Sequence, residues 1–508
     1  MRFLSSARTA DAARRLRLVQ LYSGQSYHIP AFSRKLEFHW RQRATLWYNY
    51  DAMDKKPPKC FLDAFLRLRP GAFASNVDLL LKLARMSARA GHKQLVLPSD
   101  AVRGGDCGSL AAHPAFVKAC AKAEARFLDG LSKIKNLPKV VWVERGQTPE
   151  VDGDDFSCSI VETLVTEAGP DPRFPFGGRP EEVFPRQVCG LARRLAAIGC
   201  KDAVIGLSGG LDSALALLVT VGAFKLLELD LKGIHVYTMP GFGTTKRTRG
   251  NADMLAEGLG LKLETIDITP ACRQHFKDIR QPATRHDITF ENAQARERTQ
   301  ILMDKANQFG GIVVGTGDMS EIALGWCTYN GDHMSMFGVN AGVPKTVVRE
   351  VCRWIVDGES RKVKGERLVE DATDPSTVAI YDSPSAAKAL LDILETPVSP
   401  ELLPAKRGKI AQKTEDKVGP YELHDFFLWH FVQEGEDRKQ ILAAAKKAFK
   451  GQYDAKTIAG WLDVFFRRFF SQAFKRNCAP DGVQVFSVYL SPSAWHVPSD
   501  MSGAAFQN

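Results

Sequence analysis

Long apolar runs are missing from this chain of 508 residues. No stretch of about 18 uncharged apolar residues occurs, so no transmembrane helix and no membrane partner are expected. Paired cysteines are missing as well. The ten cysteines are scattered, with no C-x-x-C, which argues against a structural zinc site or a disulfide framework. That usage fits a reducing compartment, cytoplasmic or mitochondrial matrix. No internal repeat or low-complexity tract is evident. Acidic residues are scarce only at the start. The first fifty residues hold nine Lys or Arg against Asp11 and Glu37, which is +7 of the net +10. The remainder is close to balanced, so no nucleic-acid-binding face is demanded. What is present is the ordinary mixture of a soluble protein, 44% apolar and 25% charged, at a length that predicts two or three domains.

Four regions emerge along the chain. Residues 1–58 form a basic, aromatic-rich extension ending in the polar run DKKPPK. Within it, residues 1–25 are Arg-rich and amphipathic in pattern, as in a mitochondrial transit peptide; a basic arm on a cytosolic enzyme fits the same composition. Residues 59–165 alternate helical and strand patterns, with helices over 78–90 and 116–134 and buried strands at Leu95–Leu97 and Val140–Val143. Residues 166–183 are Pro- and Gly-rich and read as a linker. From Phe184 the pattern becomes helix, strand Ala203–Leu207, helix from Asp212, strand Gly233–Tyr237, helix 251–259, strand Glu264–Ile268, helix 292–309 and strand Ile312–Gly315. Strands alternating with helices predict a parallel sheet covered on both faces. The polar stretch after Trp354 reads as a surface insertion, and Leu423–Phe474 as a helical C-terminal region.

The sharpest local signal is Ser208-Gly209-Gly210-Leu211-Asp212-Ser213, directly after a strand and opening a helix. Two glycines permit positive φ and let backbone N–H groups approach an anion. The helix N-terminus adds partial positive charge, and Ser208 and Ser213 add hydroxyls. Asp212 repels a bare phosphate, so its presence argues for a bridging Mg²⁺. The Lys of G-x-x-x-x-G-K-[ST] is absent, which excludes a Walker A loop. The segment resembles the pyrophosphate loop of ATP pyrophosphatases, which adenylate a carboxylate or carbonyl oxygen. That resemblance implies a Rossmann-like doubly wound α/β fold with a parallel sheet, of the adenine nucleotide alpha hydrolase-like type.

Four further blocks follow in the chain. They are His286 through Arg296 (HDITFENAQAR), Gly315 through Glu321 (GTGDMSE), Trp326 through Lys345 (WCTYNGDHMSMFGVNAGVPK) and Phe474-Lys475-Arg476. In order and spacing they resemble the NAD synthetase family, over residues 184–508. The resemblance implies ATP as co-substrate, Mg²⁺, deamido-NAD and ammonia as substrates, and a homodimer or larger homo-oligomer. Carried over residue by residue, Gly206, Leu207, Ser208, Gly209, Gly210, Leu211, Asp212, Ser213 and Thr316 resemble the ATP site. Asp212 and Glu321 resemble the Mg²⁺ carboxylates, and Asp212 and Lys345 the catalytic pair, with Lys345 a cationic contact to nucleotide phosphate. Asn292, Arg296, Glu321, Trp326, Asp332 and Lys475 resemble the deamido-NAD site. Asn292 and Arg296 share a helical face by their i, i+4 spacing. Trp326 reads either as a ring that stacks on substrate or as core packing beside the site. His286 and His333 read as hydrogen-bonding residues before general bases.

Leu66–Val117 resembles the start of the nitrilase-like amidase that many long NAD synthetases carry. Where that family places its catalytic Glu, this chain reads Pro98-Ser99-Asp100, and no Lys or Cys block is recognisable before the linker. Cys158 is a candidate nucleophile by residue type alone. The expectation is a truncated, degenerate amidase, with ammonia taken from solution or an ammonia-supplying protein. Two other classes remain in view: a catalytically retired scaffold or assembly protein with the same fold, and a tRNA-modifying relative, for which neither a reactive Cys nor a basic RNA face is visible.

Overall fold

The computed structural model describes residues 68–104, 107–143, 164, 167–282, 284–363, 383–396 and 414–506. The basic extension, the transit-peptide reading and Cys158 lie outside the described residues.

The chain's alternation sorts directly into layers. β3 (Ala203–Gly206), β4 (Ile234–Thr238), β5 (Leu263–Thr265), β6 (Ile312–Gly315) and β7 (Phe337–Gly338) form one five-stranded sheet in the order β5-β4-β3-β6-β7, every pair parallel. β3, β4, β6 and β7 are largely buried on both faces, the edge strand β5 is exposed, and the period of two decides which residue meets which layer. Ala203, Ile205, Val236, Ile312 and Val314 join a core shared with α3 (Pro180–Ile198), α4 (Leu211–Leu226) and α9 (Lys345–Val363). Val204, Tyr237 and Val313 join a second core with α6 (Thr269–Asp278) and α7 (Ile288–Phe309). The sheet is therefore doubly wound. α4 is apolar all round, as a helix enclosed by other elements must be; only Asp212, Lys225 and Leu226 of its sixteen residues escape full burial. α5 (Lys246–Gly258) packs against α10 (Pro384–Glu395), joined by Arg247 and Asn251 to the Asp392 carboxylate.

The strand order reverses at β3. Strands β4 and β5 build away on one side, β6 and β7 on the other, so the carboxyl ends of β3 and β6 open a crevice where such folds bind ligands. Both chemistry-bearing loops, 207–213 and 316–321, leave the sheet at this crevice.

The C-terminal region wraps the same end. α12 (Tyr421–Val432), α13 (Arg438–Ala448) and α14 (Ala455–Ser471) form an aromatic bundle in which Phe431 contacts Phe465, Phe466, Phe469 and Phe470 edge-on. The Pro- and Gly-rich segment is not a loose tether where it is described: Phe176 is buried between Trp429 and Phe486, with ring centroids 4.9 and 5.1 Å away. α3 begins at Pro180, four residues before the expected Phe184, because Pro suits the first helical turn and Glu181 and Glu182 favour its N-terminus. α9 continues past Trp354 to Val363; the rest of the polar stretch read as a surface insertion lies outside the described residues. β5 stops at Thr265, short of Ile268.

Residues 73–143 supply a small parallel pair, β1 (Gln94–Pro98) and β2 (Lys139–Val143), with α1 (Phe73–Arg89) and α2 (Pro114–Ser132). Arg69 Nη2 donates to Ala196 O and Arg193 Nη2 to Gly104 O, tying this unit to α3. At the end of β1, Ser99 is half-buried and Asp100 buried.

Candidate active site

The loop after β3 turns at Gly209, whose φ is +82°. A Cβ there lies 1.9 Å from Thr248 O, so both backbone conformation and space demand glycine. The loop closes on its own serines: Ser208 N donates to Ser213 Oγ at 3.3 Å and Gly210 N to Ser208 Oγ at 3.2 Å. Leu207 and Leu211 face the core, and Leu207 N donates to Tyr237 O, so these two contribute backbone position only.

Across the crevice, Asp318 caps the N-terminus of a six-residue helix, α8 (Met319–Leu324), by accepting from Glu321 N at 2.9 Å. Asn340, fully buried, links the two loops. Its Nδ2 donates to Asp212 O and Thr316 O, both at 2.9 Å, and its Oδ1 accepts from Gln187 Nε2. Thr316 is thereby held by its carbonyl.

Three carboxylates meet here. Asp212, Asp318 and Glu321 present oxygens within 4.8 Å of one another. The Lys345 ammonium lies among them, 2.6 Å from Asp212 Oδ2, 2.6 Å from Asp318 Oδ2 and 3.0 Å from Glu321 Oε1. One cation does not balance three carboxylates, and the group is largely out of solvent. Burial pushes the Asp318 carboxyl up to about 7 and raises Glu321 too, against the pull of Lys345. The same carboxylates hold the Lys345 ammonium well above its ordinary value despite burial. Asp212 Oδ1 is buried with no hydrogen-bond partner. An all-oxygen donor set with excess negative charge and an orphaned oxygen fits a hard divalent cation such as Mg²⁺.

In this structure Lys345, expected as a cationic contact to nucleotide phosphate, is the counter-ion of the carboxylates. Asp318 belongs to the cluster beside Asp212 and Glu321 and was not singled out by sequence. Its signal was present: an Asp at a helix N-cap, immediately beyond a strand end of the parallel sheet.

An open cleft runs from Gly317 and Glu321 past Cys327, Asp332 and His333 to Lys475 and Arg476. It brings together three residues expected at the deamido-NAD site, Glu321, Asp332 and Lys475. Asp332 accepts from Thr328 N at 2.8 Å; protein packed round its carboxylate nevertheless pushes it above the ordinary carboxylate range. Burial also lowers the His333 imidazole, favouring its neutral form. Lys475 lines the cleft but already donates to Gly325 O at 2.8 Å and Cys327 O at 2.7 Å. Trp326 is not among the cleft-lining residues. It packs on the core, with the Arg468 guanidinium 5.2 Å from its ring centroid, which favours core packing over stacking on substrate. Asn292 and Arg296 brace the cleft's loop: Asn292 Oδ1 accepts from Thr328 Oγ1 at 3.0 Å, and Arg296 Nε donates to Tyr329 O at 3.2 Å. His286 stands against Phe290, with ring centroids 4.5 Å apart, and is not in the cleft lining.

A glycine-bent loop at the switch point of a doubly wound parallel sheet, faced by a carboxylate cluster, defines a nucleotide-binding α/β protein of the ATP pyrophosphatase class. Residues 184–373 match the NAD synthase family. The glutamine-dependent NAD(+) synthetase of Mycobacterium leprae (strain TN) is 38% identical over 345 residues, covering 63% of this chain and 48% of that protein. The enzyme of the same name from Thermotoga maritima is 31% identical over 330 residues, 64% of this chain and 48% of that protein. The chain spans about half the length of the curated relatives it matches. Among solved structures, a glutamine-dependent NAD(+) synthetase from Cytophaga hutchinsonii is similar in fold, with a TM-score of 0.60 at 14% identity over 86% of this chain and 97% of that chain.

Proposed function

We propose that this chain activates the nicotinate carboxylate of deamido-NAD with ATP and replaces the resulting AMP by ammonia, giving NAD, AMP and pyrophosphate. The observation that carries the reading is the Asp212–Asp318–Glu321 cluster around Lys345, at the crevice between β3 and β6 and directly beside the glycine-bent loop.

A carboxylate is a poor electrophile, so amide formation needs a better leaving group than oxide. Attack by a carboxylate oxygen on the α-phosphorus of ATP forms the acyl–AMP anhydride and breaks the bond to pyrophosphate. Asp212, Asp318 and Glu321 would hold Mg²⁺, which when bound neutralises phosphate charge. Ser208 N and Gly210 N, now closed on the loop's own serines, are the donors a phosphate oxygen would take. Lys345, paired with Asp212, Asp318 and Glu321, would add its positive charge beside the same phosphates. Ammonia then attacks the acyl carbon, AMP leaves with the electron pair of the C–O bond, and the proton lost by the added ammonia goes to solvent water. The neutral His333 and the carboxyl of Asp332 line the cleft, which supports it as the place of this second step. Catalysis here is positioning and electrostatics, with no covalent enzyme intermediate.

The nitrogen source is ammonia rather than glutamine in this reading. Ser99, where the nitrilase-like family has its catalytic Glu, supports it. Incubating the chain with ATP, Mg²⁺ and deamido-NAD, with ammonium or glutamine in parallel, tests both parts. NAD and AMP with ammonium alone is the expected result. Equal product with glutamine overturns the nitrogen assignment, and no product with either overturns the reaction.

A further inference from the structure

The two elements that carry Glu321 and Lys345 are bridged, from outside the family-matched segment, by a buried side chain. Asp425 lies on α12, beyond residue 373, and is 2% exposed. Its Oδ1 accepts a hydrogen bond from Ser320 Oγ, one residue before Glu321. Its Oδ2 accepts from Thr346 N at 3.1 Å and from Thr346 Oγ1 at 2.7 Å, one residue after Lys345. Ser320 Oγ in turn accepts from Lys345 N at 2.8 Å. A single carboxylate therefore braces the first turn of α8 against the first turn of α9. It lies at the N-terminus of a nineteen-residue helix, where the aligned peptide dipoles favour an anion.

α8 needs such a brace, because six residues make too short a helix to hold its own axis. Its far end is secured by the same C-terminal region: Arg476 Nη1 donates to Ala323 O at 3.0 Å, Arg468 Nε to Leu324 O at 2.9 Å and Lys475 Nζ to Gly325 O. Bonds from outside the acid cluster thus add to its own, Glu321 N to Asp318 Oδ1 and Lys345 N to Ser320 Oγ, in holding α8 and α9.

We propose that Asp425 is a positioning residue for adenylation, fixing the separation of Glu321 and Lys345 by joining α8 to α9 without touching substrate. The proposal rests on the function proposed above, and it predicts that the C-terminal helical region is part of the working unit and not an accessory.

The test compares Asp425→Ala, Asp425→Asn and His424→Gln in the full chain. His424 is the neighbouring buried polar residue on α12, but its imidazole pairs with Val418 O and packs on Phe427, Trp461 and Phe465, not on α8 or α9 among the described residues. Asp425→Ala is expected to lower kcat by roughly 100-fold, the scale of a small misplacement of catalytic groups, with KM for deamido-NAD little changed. Asp425→Asn keeps an acceptor for Thr346 and is expected to recover part of kcat; it also carries the test if the alanine variant does not fold. His424→Gln is expected to lower the melting temperature while leaving kcat near wild type. A kcat for Asp425→Ala close to wild type overturns the proposal, as does an equal loss of kcat in His424→Gln. If the wild-type chain forms no NAD or AMP at all, the proposed reaction fails by itself. Hydrogen exchange of the ligand-free protein then decides the brace: faster exchange across 318–324 and 345–348 in Asp425→Ala alone supports it, and unchanged exchange there overturns it.

Discussion

At the scale of single residues, the site is built from groups whose environment opposes their charge. Asp318 shows this most sharply: its cap bond to Glu321 N favours the anion, yet burial dominates. Replacing it by Asn keeps the cap acceptor and removes one negative charge from the cluster. The expected outcome is a fold of near-native stability, weaker Mg²⁺ binding by calorimetry and a turnover lowered by roughly 100-fold, the range seen when one electrostatic contact is lost. Gly209→Ala acts differently. The added methyl meets Thr248 O in a backbone conformation that alanine avoids, so thermal unfolding should show a loss above about 1 kcal/mol together with a raised KM for ATP.

His424 supplies a stability prediction with a definite sign. Burial lowers its imidazole from 6.5 to about 4. A base whose folded value lies below its unfolded one contributes stability that is present above the unfolded value and is lost as pH falls through the folded one. The difference in melting temperature between wild type and His424→Gln should therefore shrink between pH 6.5 and pH 4. A difference independent of pH over that window contradicts the burial argument.

At the scale of elements, the loop 208–213 was legible because its physics is local: two glycines, two hydroxyls and an acid between a strand and a helix are consecutive in the chain. β3 and β6 were legible for a similar reason, being short apolar runs flanked by helical patterns. α8 was not. Six residues carry less than two helical turns, too few for a period of 3.6 to register. The protein partners of Lys345 and Lys475 were not legible because a lysine's partner is set by folding. Lys345 meets Asp212 from 133 residues away, and Lys475 meets Gly325 from 150 residues away. Asp425 gave no motif at all; its meaning comes only from α12 lying across the ends of α8 and α9. The cations behind α8 allow a direct check. Arg476→Leu removes the donors to Ala323 O and Phe469 O, and leaving buried carbonyls unsatisfied should cost about 1–3 kcal/mol in denaturant unfolding.

At the scale of the whole molecule, one core runs from the small parallel pair β1–β2 through α3 and α4 into the aromatic C-terminal bundle. The Pro- and Gly-rich segment is part of it through Phe176. Its composition announces a linker, but one aromatic with an interior to enter outweighs the local signal. Phe176→Ala should destabilise the chain by about 3–5 kcal/mol, the cost of a large aromatic cavity. If instead the segment were a tether, the substitution would leave unfolding unchanged. The same continuity explains why the switch-point crevice is framed by elements spread from residue 206 to residue 476: the sheet supplies two loop ends, and the C-terminal helices hold them in register.

The most direct test of the central claim, that this crevice transfers AMP to a pyridine carboxylate, is isotope exchange between labelled pyrophosphate and ATP in the presence of Mg²⁺, measured with no ammonia or glutamine. The account predicts exchange that requires deamido-NAD and disappears in Asp212→Ala. Exchange independent of deamido-NAD, or ATP cleaved to ADP in its place, would contradict it.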